Sequence, residues 1–353
     1  LKAKSAVVKL LDFELAKAAD VLVRELARIK PSDHVLVYTD SESDWRVAET
    51  TAAAAHNAGA KVAVLRYPAP RGVAESADAD LPEPLVAAMR SCDVMIEFSK
   101  KYLLYSTPWR VAMQAKRARY LCLSGMTSEM MVRCVGRVNV QALIQFQDTI
   151  AGLTRSATRM RITTPAGTDI SFQNDRKRPV FTEGVVPDKP GDYMLIGQVD
   201  WAPIEKSLKG TIVFDGSVWP PDELGRLADP IRLKVDRGRV ISIDGGREAR
   251  NLARWLDSFD DPAMRNVVHV ACGCNPGAKL SGLIVEDERV WGSVEWGLGY
   301  QGESFLGAAG PAKTHTDGIC LNASIWMDKE QISSEGTYTH PELAALNNRV
   351  RRM

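Results

Sequence analysis

The chain has 353 residues, with 45 Lys and Arg against 44 Asp and Glu, and a formal net charge of +1. Apolar residues make up 45% and charged ones 25%, an ordinary globular composition that excludes collagen-like, disordered and disulfide-scaffold classes. Balanced charge argues against nucleic acid or an anionic membrane surface as partner, and no run of eighteen apolar residues offers a membrane span.

The first half alternates two periods. Residues 12–29 place Leu15, Ala18, Ala19, Leu22 and Leu26 on one helical face. His34–Thr39 is a short β-branched run and predicts a strand. An Ala-rich helix over 43–58 follows, closed by Gly59, and then a second strand over 61–67. A short helix over 83–91, a strand over 93–98, a helix opened by Pro108 and a strand over 120–123 complete the pattern. Short apolar strands separated by helices imply a parallel sheet covered on both faces, with ligands gathering beyond the carboxyl ends of its strands. No dinucleotide, P-loop, nucleophile-elbow or zincin motif is present.

Residues 139–158 read as a helix leading into a second half of different texture. There, short alternating runs at 161–163, 169–172, 210–214, 231–235 and 240–243 are punctuated by Gly, Pro and Asp, with one helix near 246–258. The expected architecture is α/β: a doubly wound parallel-sheet domain over 1–159 and a β-rich α+β domain over 160–353. The opening segment, Leu1–Ser5, has no signal-peptide core. The six scattered Cys read as buried, reduced thiols, so a cytoplasmic location is expected.

Five His are present. His34 and His56 read as structural, and His340 is open. In Thr314-His315-Thr316-Asp317-Gly318, a strand would point His315 and Asp317 to the same face, where both can bind one metal. His269 lies in a β-branched run, where its ring nitrogens need either ordinary polar partners or a metal. Glu295 sits between Gly292 and Gly297 as an exposed strand residue or a functional acid. Two His and one carboxylate suit ferrous iron with open positions, although zinc accepts such a set too.

The segment Gly197-Gln198-Val199-Asp200-Trp201-Ala202-Pro203, followed by Gly210-Thr211-Ile212, resembles the aminopeptidase T group of metallo-aminopeptidases. The resemblance continues through Cys274-Asn275-Pro276-Gly277, Gly292-Ser293-Val294-Glu295 and His315-Thr316-Asp317-Gly318, and so covers most of the second half. It implies a site in which Gln198 and His269 replace two metal-binding Glu and Glu295 replaces a His. Loss of anionic ligands disfavours a two-metal hydrolase.

The remaining set, His269, His315 and Asp317, resembles that of the 2,5-dihydroxypyridine 5,6-dioxygenases, a mononuclear iron offshoot of the same fold. That resemblance implies Fe(II) and an extradiol-type opening of a small hydroxylated heteroaromatic ring by O2, giving N-formylmaleamate. Glu295 is then a base or supporting partner of the metal site, Gln198 a hydrogen-bonding residue, and Leu104, Tyr105 and Ser304 pocket candidates. A homo-oligomer is expected by the same resemblance. The alternatives are a divergent zinc or cobalt aminopeptidase and a metal-free binding module.

Overall fold

The computed structural model describes residues 2–351, and of residues 2–10 the backbone alone. Leu1, where the reading of the opening segment begins, lies outside the described residues. Two compact units emerge, one built from the chain through Val140 together with Glu183–Ile196, the other from Gln141–Thr182 and Gly197–Arg351.

The N-terminal unit opens with α1 (Lys2–Val21), continued by a widened turn over Leu22–Leu26. The apolar stripe from Leu15 to Leu26 is buried. Then come β1 (His34–Asp40), α2 (Trp45–Asn57), β2 (Lys61–Tyr67), α3 (Glu83–Ser91), β3 (Val94–Glu97), α4 (Thr107–Gln114), β4 (Arg119–Cys122) and α5 (Ser128–Met131). The side chains of Asp44 and Ser106 cap α2 and α4, each accepting from a backbone N–H of the first turn. Gly59 ends α2 with φ +93°, which a residue with a Cβ rarely adopts.

All strand pairs in this unit are parallel, in the order β2-β1-β3-β4. A fifth strand, Gly191–Tyr193, returns from later in the chain and pairs parallel with β4, Arg119 opposite Gly191. The fold class is thus the expected α/β one.

Glu97 lies at the carboxyl end of β3 and is fully buried. It accepts hydrogen bonds from the Tyr120 hydroxyl and from the Leu103 N–H (2.8 Å). Burial pushes its carboxyl up to about 8, with these bonds opposing the rise.

The C-terminal unit begins with α6 (Val140–Ser156), whose Phe146 packs against Trp291 and Tyr338, both at 5.0 Å between ring centroids. The helix expected as a connection is therefore part of this unit's core. Its strands are β5 (Arg159–Thr163), β6 (Asp169–Gln173), β7 (Val180–Thr182), then β9 (Gln198–Trp201) after the returning strand β8 (Gly191–Tyr193). They continue as β10 (Lys209–Phe214), β11 (Ser217–Trp219), β12 (Gly225–Arg226), β13 (Ile231–Asp236) and β14 (Arg239–Gly245). After α7 (Arg247–Asp257) come β15 (Val267–Gly273), α8 (Ile284–Asp287), β16 (Val294–Gly299), β17 (His315–Cys320), β18 (Ser324–Met327), β19 (Glu330–Ser334), β20 (Thr337–Tyr338) and α9 (Pro341–Asn347).

These strands form two antiparallel sheets, β14-β13-β10-β6-β5-β18-β19-β20 and β12-β11-β17-β16-β15-β9-β7. They pack face to face: Phe172 of β6 meets Trp296 of β16 edge-on at 5.8 Å, and the Thr168 hydroxyl reaches the Cys320 sulfur. The single cut expected after residue 159 is replaced by a division in which the chain passes between units three times before residue 351. The reason is local: a three-residue strand far along the chain completes the first sheet.

Glu97 carries a pH prediction. An unfolded Glu ionises near 4.5, whereas in the fold the proton is held to about 8. The folded state therefore binds more protons across that window, and stability falls as pH rises through it. Glu97→Gln should keep the fold and flatten this part of the curve relative to the parent, as read by urea unfolding midpoints between about pH 5 and 8.

Candidate metal centre

The site is a row of residues across three neighbouring strands. His269 on β15 stands opposite Gly297 on β16, and Gly297 stands opposite Asp317 on β17. Two residues along, Gly299 faces His315. Alternation along β16 sends Trp296 and Leu298 to the sheet-sheet core, and Glu295, Gly297 and Gly299 to the other face.

Register on β15 shifts between Val267 and His269. Such a bulge re-aims the residues that follow it. It is tied down by Gln301, whose side-chain N–H donates to the Val268 carbonyl.

Gly297 makes the row possible. A Cβ on it would lie 2.5 Å from His269 Cε1 and 2.7 Å from Nε2, closer than real contacts allow. The missing side chain leaves a depression into which both flanking donors turn. His269 Nε2 lies 3.5 Å from Asp317 Oδ1, and His315 Nε2 lies 2.7 Å from the same oxygen. One donor atom from each of His269, His315 and Asp317 falls within 4.8 Å of the others.

Second partners orient the donors. His315 Nδ1 is 2.7 Å from the Tyr300 carbonyl, an acceptor only, so Nδ1 carries a hydrogen and Nε2 is turned to the cluster. The two imidazoles stack at 5.0 Å between centroids, and the Phe305 ring stacks on His269 at 5.3 Å with the planes 11° apart. Glu295 is buried, with Oε1 2.6 Å from His269 Nε2 and Oε2 accepting from the Gln198 amide at 3.0 Å.

Electrostatics bind the group together. Burial opposes the charged form of His269, but Glu295 and Asp317 outweigh it and hold the imidazole well above its usual range. Burial likewise works against the Asp317 carboxylate, yet His315 and His269 keep it well below the ordinary value. Glu295 is pushed up by burial to about 8, and Glu288, beside the Arg289 guanidinium, to about 7.

The donor set fits a divalent metal. It offers two imidazole nitrogens and one carboxylate oxygen in a glycine-floored depression, and the Asp317 carboxylate favours positive charge there. A cation at this place replaces protons on the ring nitrogens.

The structure thus brings together His269, His315, Asp317, Glu295 and Gln198. Leu104 and Tyr105 belong to the N-terminal unit: Leu104 is buried in its apolar cluster, and Tyr105 is exposed, edge-on to Trp109 at 5.3 Å. Ser304 is exposed on the segment between β16 and β17. His34 and His56 are exposed, away from any donor cluster among the described residues.

Sequence reasoning missed Glu288, Phe305 and the role of Gly297. The alternation of Glu295, Gly297 and Gly299 was the signal available for the last.

A two-sheet unit with this donor set, carried in one chain with a doubly wound unit, defines a metal-dependent enzyme class, and known proteins identify which. Wild-type AmpT (aminopeptidase T) from Thermus thermophilus is similar in fold, with a TM-score of 0.67 at 16% identity over 93% of this chain and 99% of that one. The structure of 2,5-dihydroxypyridine dioxygenase from Pseudomonas putida KT2440 gives a TM-score of 0.75 at 20% identity, over 94% of this chain and 99% of that one. The curated 2,5-dihydroxypyridine 5,6-dioxygenase of Pseudomonas putida (strain KT2440) is 24% identical over 342 residues, covering 91% of this chain and 95% of the relative. The family model for 2,5-dihydroxypyridine 5,6-dioxygenase (NicX) matches residues 18–340, and the chain belongs to that family. No helix among the described residues is long and apolar enough to cross a membrane.

Gly297→Ala tests the depression directly. The added methyl should weaken metal affinity at least tenfold while the urea unfolding midpoint shows a folded protein. Unaltered metal content after dialysis would place the binding site elsewhere.

Proposed function

We propose that the chain is a mononuclear ferrous enzyme that opens 2,5-dihydroxypyridine between C5 and C6 with O2, giving N-formylmaleamate. The observation that carries this reading is the His269, His315 and Asp317 cluster on one sheet face, in a chain of this family. The reaction balances without an outside reductant: both oxygen atoms end in the product, one in the carboxyl at former C5 and one in the formyl group at former C6. His269, His315 and Asp317 would hold a ferrous ion, which would supply the redox chemistry that lets O2 react with an ionised ring.

The chain's own residues do the rest. His269 Nε2 faces both Glu295 and Asp317, and as a metal ligand it would give up its bond to Glu295 and leave Glu295 Oε1 free. Gln198 still holds Oε2, which keeps the carboxyl aimed at the depression. A carboxyl buried to this extent and held beside the donors suits taking the proton of the 5-hydroxyl and returning it later. The Tyr300 carbonyl keeps His315 in the tautomer that a metal needs. Gly297 lets the His269 imidazole lie over β16, in the space a side chain would fill, so the ring reaches the other donors.

Within the same reading, the enzyme is a cytoplasmic homo-oligomer; its six free, buried cysteines suit a reducing compartment. The peptidase alternative is weaker, because the cluster offers a single carboxylate and its neighbour Gln198 is neutral.

Anaerobic loading with ferrous iron should give about one metal per chain, and addition of 2,5-dihydroxypyridine in air should consume one O2 per ring. No uptake by iron-loaded protein ends this proposal. Glu295→Gln should retain iron and lower kcat by about 100-fold, the usual contribution of a positioned acid-base group. His315→Ala and Asp317→Ala should lose the metal itself.

A further inference from the structure

The segment between β16 and β17, residues 300–314, runs Tyr-Gln-Gly-Glu-Ser-Phe-Leu-Gly-Ala-Ala-Gly-Pro-Ala-Lys-Thr. Small and flexible residues dominate it, yet it is pinned along its length. Gln301 donates to the Val268 carbonyl, and the Ala308 N–H donates to Glu205 Oε1 at 2.7 Å. Glu205 is itself held by the Arg178 guanidinium at 2.9 and 3.0 Å. The Lys313 N–H donates to Asp261 Oδ2 at 2.9 Å. A segment tied this way is a fixed wall.

Residues 303–308 are exposed except for Phe305, which is half-buried and turns inward. Phe181 of β7 packs edge-on against the Phe305 ring at 5.3 Å, and the ring lies nearly parallel to the His269 imidazole. The next residue, Leu306, adopts φ +53°, a left-handed conformation that a bulky side chain rarely takes, and its side chain is exposed. Strain of this kind persists where the surroundings impose it, and it is found at ligand clamps. The backbone is bent at Leu306 so that Phe305, rather than its neighbours, faces the donor cluster.

We infer that Phe305 is a specificity-determining residue: its ring is the flat apolar wall against which a planar heteroaromatic substrate stacks beside His269. The inference rests on the functional reading above and deepens it. The phenyl face selects planar rings, and Phe181 keeps it from rotating away.

The test uses full-length, iron-loaded protein without oxygen, titrated with 2,5-dihydroxypyridine and followed by ring absorbance, alongside steady-state oxygen uptake. Phe305→Ala should weaken ring binding about tenfold, the scale of one lost aromatic stack, and raise KM similarly, with kcat within about threefold and iron content unchanged. Phe305→Tyr should bind like the parent, and Phe305→Leu, which restores bulk without a flat face, should fall between. Equal binding by parent and Phe305→Ala overturns the inference while leaving the dioxygenase reading intact. Loss of iron from folded Phe305→Ala also overturns it, since the ring would then serve only to hold His269. Failure of the parent to bind or open the ring ends both.

Discussion

Everything at this centre depends on three strands keeping their register around one glycine. His269, Gly297 and Asp317 form a single row, and the two outer side chains can meet only because the middle one is absent. Side chains alternate faces along a strand, so a slip of one residue on β15 or β17 would send a donor into the opposite layer, and on β16 it would put Trp296 or Leu298 where Gly297 must be. The second sheet resists such a slip. Trp296, next to Gly297, is buried between the layers and packed edge-on by Phe172. The residue that anchors the strand and the residue that opens the site are adjacent because the two faces of one strand do two jobs.

Around this row the acids divide by environment. Asp317 is flanked by two imidazoles and stays ionised, while Glu295, more deeply buried, has its charge disfavoured by burial. Two carboxyls on one face thereby acquire different chemical characters, one suited to holding positive charge and the other to carrying a proton. Gln198 contributes by being neutral: it fixes Glu295 through an N–H without adding a further negative charge.

Much of this was legible in the sequence. The strands of the N-terminal unit are short β-branched runs between helices with clear apolar stripes, so periodicity located them closely. His315 and Asp317, two apart at a strand start, announced a shared face. What could not be read was pairing. Nothing in Gly191-Asp192-Tyr193 marks a strand, because its role comes from Arg119–Leu121 beside it. The bulge after Val267 and the opposition of His269 to Gly297 are facts of register, which a single strand does not encode. Phe305 sits in a stretch that reads as plain loop, and only the stacked imidazole gives it meaning. Leu104 and Tyr105, by contrast, were named by the family resemblance; within the N-terminal unit Leu104 lies in the apolar cluster and Tyr105 packs edge-on to Trp109.

The returning strand of the first sheet has a consequence for the order in which the molecule can be made. Its partner β4 ends at Cys122, but Gly191–Tyr193 emerges from the ribosome about 70 residues later, several seconds at ordinary rates of synthesis. Until then the β4 edge presents unpaired backbone groups, the kind of template that recruits a foreign strand. The nascent first unit is therefore open on one side for as long as α6 and the first strands of the second unit are still being threaded out. Its completion is timed by the translation of its neighbour.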